Sequence, residues 1–320
     1  MTIPELDKKA RIESQKLTLG MMSILCEAWG ILHTVLAISN DEIGKIFAGW
    51  NSKDELVNNF LIRIAADICT RHYKEGEGSQ KHILDDVEDK VVQDADDTEG
   101  TGVWSAKEAA TQHVSAPTIV TAHLFRIASS NRLDRIKFEK IVSLEKPQKS
   151  AELISKKDGF VEKLRKAVYV SMLASFAQGL NIIATASEKE KWNVKISECL
   201  RIWRKGCIIQ SDYIVNLLQP IYENSKEPIK NILYQEKYAH EVHANYSSLK
   251  HVTIKALEAG ANIPAMSASL EYFKYCSNSN LSTAFMEAEL DYFGSHNYDL
   301  KSEHSMEVKK GKHHYEWKPA

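Results

Sequence analysis

The stretch AVYVSMLASFAQGLNIIATAS, residues 167–187, carries no charge and lies between Lys166 and Glu188. Extended to Val161–Ser187, it places apolar side chains at Val161, Leu164, Val168, Met172, Phe176, Leu180 and Ile183. That three-and-four spacing puts them on one face of a helix. Ala167, Val170, Leu173, Ala174, Ala177 and Ile182 fill the other faces, so the helix is apolar nearly all round and must be buried in protein or in lipid. Its length suffices to span a bilayer. Ser171, Ser175, Gln178, Asn181 and Thr185 interrupt the run, and Gln and Asn are costly in hydrocarbon. The reading is a central core helix, roughly 40 Å long at 1.5 Å per residue, which other helices must wrap.

Composition agrees with a large soluble core. The chain has 320 residues, a formal charge of −2 and 43% hydrophobic residues, enough for one large or two ordinary domains. Near-neutral charge supplies no field for nucleic acid or an anionic membrane, so neither is expected as a partner. Five scattered cysteines (26, 69, 199, 207 and 276) without a CxxC read as reduced, mostly buried thiols of a cytoplasmic protein. The start, MTIPELDKKARIESQK, lacks the apolar core of a signal peptide.

Fourteen Gly and seven Pro leave few breaks, and no window sustains strand alternation, so the class is all-α. Helices are expected over 17–37, from Asn40 or Asp41 to Trp50, and over 54–73 behind a Ser52/Glu55 capping box. The acidic stretch 75–101 reads as a loop with one embedded helix near 83–92. Ser105 is expected to cap a helix to His113, Pro117 to open another through Ser129, and 144–159 to link to the central helix. Further helices are expected over 193–205, 211–224, 235–259, 264–276 and 281–293, with an extended polar tail from Tyr298. A faint repeat at about 150 residues matches Glu27-Ala-Trp-Gly-Ile-Leu and Ile46-Phe-x-x-Trp50 with Gln178-Gly-Leu-Asn-Ile-Ile and Leu200-x-x-Trp203. Two similar helical halves would produce it.

Most candidate motifs fail on spacing. His240-Glu-Val-His243 lacks the four-residue His separation of a zinc helix and reads as surface. Asp94-x-Asp96-Asp97-x-Glu99 has Glu where a calcium loop needs its sixth-position Gly, and Ser105 where it needs Glu. No metal site is therefore expected. Gly76-x-Gly78 lacks the strand and third Gly of a dinucleotide fingerprint. Gly100-Thr-Gly-Val-Trp104 is either a turn whose backbone N–H groups hold an anion or a junction with Trp104 as core anchor. Asp291-Tyr-Phe-Gly-Ser-His296 reads by itself as a helix C-terminus with a favourable His.

Taken in order, CEAW (26–29), IFAGWN (46–51), GTGVW (100–104), FRIASS (125–130), FAQG (176–179), WRKGCII (203–209), AGANIP (259–264), DYFGSH (291–296) and GKHHYEW (311–317) closely resemble the C-terminal helical domain of 6-phosphogluconate dehydrogenase. The resemblance covers about Gly20 to Trp317 and implies a large helical domain of two similar halves around a long central helix. The expected division is a divergent segment 1–18, the helical domain 19–297 and an extended tail 298–320. The family oxidatively decarboxylates 6-phosphogluconate with NADP held by a Rossmann domain, which this sequence is expected to lack; a dimer is also implied, its tail reaching the partner subunit.

The resemblance also implies a degenerate site. Arg11, Gln15, Thr18 and Leu19 fall at the family's Lys base, Asn, Glu acid and Tyr, so no catalytic residue is assigned. Arg11 stays protonated and cannot act as a base near neutral pH. Glu99 replaces a phosphate-binding Lys and Leu290 an Arg, while Thr101, Arg126 and His296 remain where the family binds substrate. Two lost cationic partners, each worth about 1.5–3 kcal/mol, should weaken 6-phosphogluconate by roughly 10²–10⁴. The expected function is an inactive, structural or regulatory relative, a homodimer or the partner of a full-length homologue. The alternative is an enzyme of specialised metabolism that takes a different small acid in the retained cleft.

Overall fold

The computed structural model describes residues 18–74, 81–91, 102–204, 206–303 and 311–317. Among these residues the regular structure is helical, with only two isolated β-bridges, His72–His82 and Tyr298–His313. The chain forms two compact units, Met1–Tyr272 and Phe273–Ala320.

In the first unit, α1 (Thr18–Val35) ends in a π-helical turn, Ile31–Val35. Then follow α2 (Asn40–Ser52), α3 (Phe60–Thr70), α4 (Gly102–Thr111), α5 (Pro117–Ser130), α6 (Arg132–Ile141) and α7 (Ala151–Ser155). The central α8 runs Lys157–Lys189, about 50 Å at 1.5 Å per residue. Both α1 and α8 are long and apolar enough to cross a membrane, yet 94% of the apolar window of α8 is buried inside the protein. After it come α9 (Ile196–Trp203), α10 (Asp212–Glu223), α11 (Glu236–Glu258) and α12 (Pro264–Cys276).

Antiparallel to α8 packs α11. Phe160 meets His251, Tyr169 Oη donates to Glu241 and Tyr238 Oη donates to the Leu173 carbonyl, so the contacts run in opposite directions along the two helices. The polar residues that interrupt α8 hold its neighbours. Gln178 Oε1 accepts from the Ile119 N–H at 3.3 Å and its Nε2 donates to Thr118 Oγ1 at 2.9 Å, satisfying the start of α5. Asn181 accepts from the Ile232 N–H and donates to Asn231. Such groups can be buried because each finds a partner.

The expected repeat is visible as paired architecture. A long helix, α1 or α8, precedes a helix with a buried Trp, Trp50 or Trp203, and then α3 or α10. The starts of α3 and α10 bond each other: the Phe60 N–H donates to Gln210 and Asn58 Nδ2 to Asp212.

A second long-range cap comes from Glu27, 2% exposed on α1. Its carboxylate accepts from the backbone N–H groups of Ala265 (2.7 Å) and Met266 (2.9 Å), and from Ser23 Oγ (3.0 Å). It thus caps α12, whose first residue, Pro264, has no N–H to satisfy. Burial raises the Glu27 carboxyl, the three hydrogen bonds oppose that, and the balance is a pKa pushed up to about 7.

Several sequence expectations are corrected. Helix α3 starts at Phe60, not Asp54, because Asn59 Oδ1 accepts the Ile62 N–H. Ser52 instead donates to the Gly49 carbonyl, and Glu55 pairs with the buried Arg165, which also holds Glu162 at 2.8 Å. Ser105 lies buried inside α4 rather than capping it, since the helix already starts at Gly102. The embedded helix expected near 83–92 is only a 3-10 turn, Ile83–Asp86. The expected linker 144–159 is extended only to Ser150, where Ser150 caps α7. None of the five cysteines forms a disulfide, but only Cys69 and Cys199 are buried; Cys26 and Cys276 are exposed.

Two measurements test these caps. Gln178→Leu should lower stability by about 2 kcal/mol, since the Ile119 N–H is orphaned while Thr118 keeps Ser269; urea unfolding with an unchanged m-value checks this. For Glu27, the folded pKa of about 7 exceeds the ordinary 4.5, so the native state binds the extra proton between those values. Stability should therefore fall by about 3 kcal/mol as pH rises through that window and level off above it. The difference between wild type and Glu27→Gln, followed by denaturation from about pH 4 to 9, should show that slope.

Candidate functional site

Three helices, α1, α4 and α5, meet beside α8 in the first unit. Gly20 on α1 lies so close to α8 that a Cβ there would stand 1.9 Å from Ser175 Oγ. Gly102 starts α4 directly against α1 and α5: a Cβ would fall 2.5 Å from Leu19 Cδ1 and 2.6 Å from His123 Nδ1. Only glycine permits these approaches. Arg126 is three residues beyond His123 on α5, hence on the same helix face. The fold thus converges Thr18, Gly102 and the Arg126 segment, using the Gln178–Thr118–Ser269 bonds to fix α5 against α8 and α12.

Arg126 is half-buried there. Thr101 and Glu99 lie outside the described residues, as do Arg11, Gln15, Gly76, Gly78 and the acidic run 94–99. Trp104 is 49% exposed, which overturns its reading as a core anchor; it points away because Gly102 and Ser105, not Trp104, form the packed face of the first turn of α4. His240 and His243 are exposed on α11, as expected of a surface pair.

The second unit is organised by Asp291. Its carboxylate sits on α13 (Thr283–Gly294), is 0% exposed, and accepts four hydrogen bonds. Donors are the Asn297 N–H (3.0 Å), His314 Nδ1 (2.9 Å), the Tyr315 N–H (3.1 Å) and Trp317 Nε1 (2.8 Å). Burial raises this carboxyl, but the four donors outweigh it and hold the pKa well below the usual range; the same contact raises His314. Asp291 thereby joins DYFGSH to GKHHYEW. Among its described residues the tail holds one 3-10 turn, Lys301–Glu303, and the Tyr298–His313 bridge.

His296 follows the left-handed Ser295 that ends α13 and is exposed, its ring 6.0 Å from that of Phe293. A Cβ at Gly294 would stand 2.5 Å from the His296 ring, so the glycine lets the ring fold back. Leu290, one residue before Asp291, is half-buried. Arg126 belongs to the first unit and His296 to the second.

Sequence reasoning missed the roles of Glu27 and Asp291. A signal for Glu27 existed: it is the only acid between residues 18 and 40 of an apolar helix. For Asp291 the signal was weaker, since Glu287 and Glu289 precede it on the same helix.

The profile of the 6-phosphogluconate dehydrogenase C-terminal domain matches residues 17–317. A decarboxylating 6-phosphogluconate dehydrogenase of Emericella nidulans is 45% identical over 94% of this chain and 62% of its own length. The decarboxylating enzyme 2 of Arabidopsis thaliana is 32% identical over 93% of the chain and 58% of its length. The Plasmodium falciparum 6-phosphogluconate dehydrogenase, solved apo, with its cofactor NADP+ and with its substrate 6-phosphogluconate, superposes with a TM-score of 0.84 at 25% identity, over 97% of this chain and 62% of that one. The chain thus spans about 60% of the length of these relatives. By the profile match and these identities, the chain belongs to the 6-phosphogluconate dehydrogenase family, to which it corresponds through the C-terminal helical domain.

Proposed function

We propose that this chain is a family member weakened at the sugar-phosphate site, inactive by itself, that works as a dimerising or regulatory paralogue. The observation that carries the reading is the pair of replaced cations. Glu99 and Leu290 stand where the resemblance puts phosphate-binding Lys and Arg, and Thr18 stands for the carboxylic acid. Thr101, Arg126 and His296 are the residues left to recognise a sugar acid. A neutral Leu and a repelling Glu cannot replace two charged hydrogen bonds. NADP, named with the Plasmodium enzyme, is by the resemblance held by a Rossmann domain, and no described residue is assigned to it.

Dimerisation, with itself or with a full-length homologue, is supported by apolar side chains left in water. Around α6, Leu133, Phe138, Ile141 and Leu144 are exposed, and so, on α13, are Phe285, Met286 and Phe293. Clusters of this kind mark association surfaces. Five thiols without a disulfide support a reducing, cytoplasmic setting.

Calorimetric titration with 6-phosphogluconate tests the reading. Wild type should bind roughly 10²–10⁴ more weakly than Glu99→Lys/Leu290→Arg, and sedimentation should find a dimer that Phe138→Asp/Ile141→Asp weakens. Equal affinity of wild type and the double variant, or NADP reduction by the purified wild type, would overturn it; turnover of another acid would favour an enzyme of different specificity.

A further inference from the structure

Asp41, His72 and His82 come together at the start of α2, although 41 residues separate the first from the last. Residues 72 and 82 face each other across an antiparallel bridge, in which the Tyr73 N–H donates to the Lys81 carbonyl and the Ile83 N–H to the Arg71 carbonyl. The two imidazole centroids are 4.0 Å apart. One oxygen of Asp41 stands 3.1 Å from His82 Nε2 and the other 4.0 Å from His72 Nε2. One nitrogen from each ring and one carboxylate oxygen all lie within 4.8 Å of one another.

The outer nitrogens of both rings are directed elsewhere. His72 Nδ1 is 3.1 Å from the Thr70 carbonyl, which can only accept, so Nδ1 carries the proton and Nε2 the lone pair. His82 Nδ1 faces Asp85 at 3.7 Å. Asp85 is itself held by Asn40 Nδ2 at 3.1 Å, and Asn40 Oδ1 accepts from Trp29 Nε1 at 3.1 Å. A carboxylate behind the far nitrogen of an imidazole is the arrangement that orients histidine ligands in metal sites. His82 Nε2 is buried and makes no hydrogen bond, although a carboxylate oxygen is 3.1 Å away. The Asp41 oxygen is thus within ion-pair distance of His82 Nε2 yet out of line for a hydrogen bond from it, and a cation shared by the two would satisfy both.

We propose that Asp41, His72 and His82 bind a divalent ion of the zinc class. Zinc–nitrogen and zinc–oxygen bonds of about 2.0–2.2 Å in a tetrahedron separate ligand atoms by about 3.3 Å. The His82–Asp41 pair already meets this distance, and the partly exposed His72 ring, whose ligand nitrogen lies within 4.8 Å of the other two ligand atoms, reaches it by closing at most about 1.5 Å. Two imidazoles and one carboxylate leave the fourth position to water, and this donor set suits zinc rather than calcium or magnesium. The ion would tie the chain on both sides of the segment between 72 and 82 to the first turn of α2.

The experiment uses the full chain stripped with a chelator and titrated with Zn²⁺ by calorimetry and with Co²⁺ by visible absorption. One equivalent should bind, Co²⁺ should show the intense bands of a tetrahedral site, and the ion should raise the melting temperature. Asp85→Asn should weaken binding by about 10–100-fold, and Asp41→Asn and His82→Ala by more. His240→Ala/His243→Ala should bind as wild type does. Should His82→Ala unfold, the more exposed His72→Gln reads the same loss. Absence of stoichiometric binding, or equal affinity in a folded His72 or Asp41 variant, would overturn the assignment.

Discussion

Gln178 sits inside α8 with no exposed surface, and its amide is tolerable there only because both of its polar ends are used. An amide buried without partners costs several kcal/mol. The start of α5 has the complementary problem, because the first N–H groups of any helix lack an internal acceptor. Each group solves the other's difficulty. The same bonds fix α5, and with it Arg126, against the central helix.

Glu27 and Asp291 repeat this logic with a charge. Glu27 accepts the N–H groups that open α12, some 240 residues away in sequence, and Asp291 accepts from the tail that returns at 314–317. Their protonation differs because their donors differ. Two N–H groups and a hydroxyl do not fully compensate the burial of Glu27, whereas Asp291 has four donors, one of them an imidazole. Long-range acceptors such as these let a helical protein specify which helix ends meet.

Two glycines follow from the same crowding. Gly20 and Gly102 occupy crossings where a single methyl group would strike Ser175, Leu19 or His123. Gly102 lies in one of the motifs that carry the family resemblance and Gly20 where that resemblance begins, yet here their physical role is to bring α1, α4 and α5 onto α8. Thr18 and Arg126 inherit their neighbourhood from that packing.

The all-α class, the central helix and the succession of later helices were legible in the sequence, because periodicity and the scarcity of Gly and Pro are local properties. So was the family, since its blocks keep order and spacing. Helix starts were less legible: Asn59 displaced the Ser52/Glu55 box because Glu55 is drawn to Arg165 and the Phe60 N–H to Gln210, partners more than 100 residues away. Of the site, residue identities at 18, 99, 126, 290 and 296 could be read directly, while the neighbours of Arg126 could not. The caps by Gln178, Glu27 and Asp291, and the meeting of Asp41 with His72 and His82, were decided only by tertiary structure. A hydrogen bond between distant segments leaves no period in the chain, and one buried carboxylate looks the same in sequence as one in water.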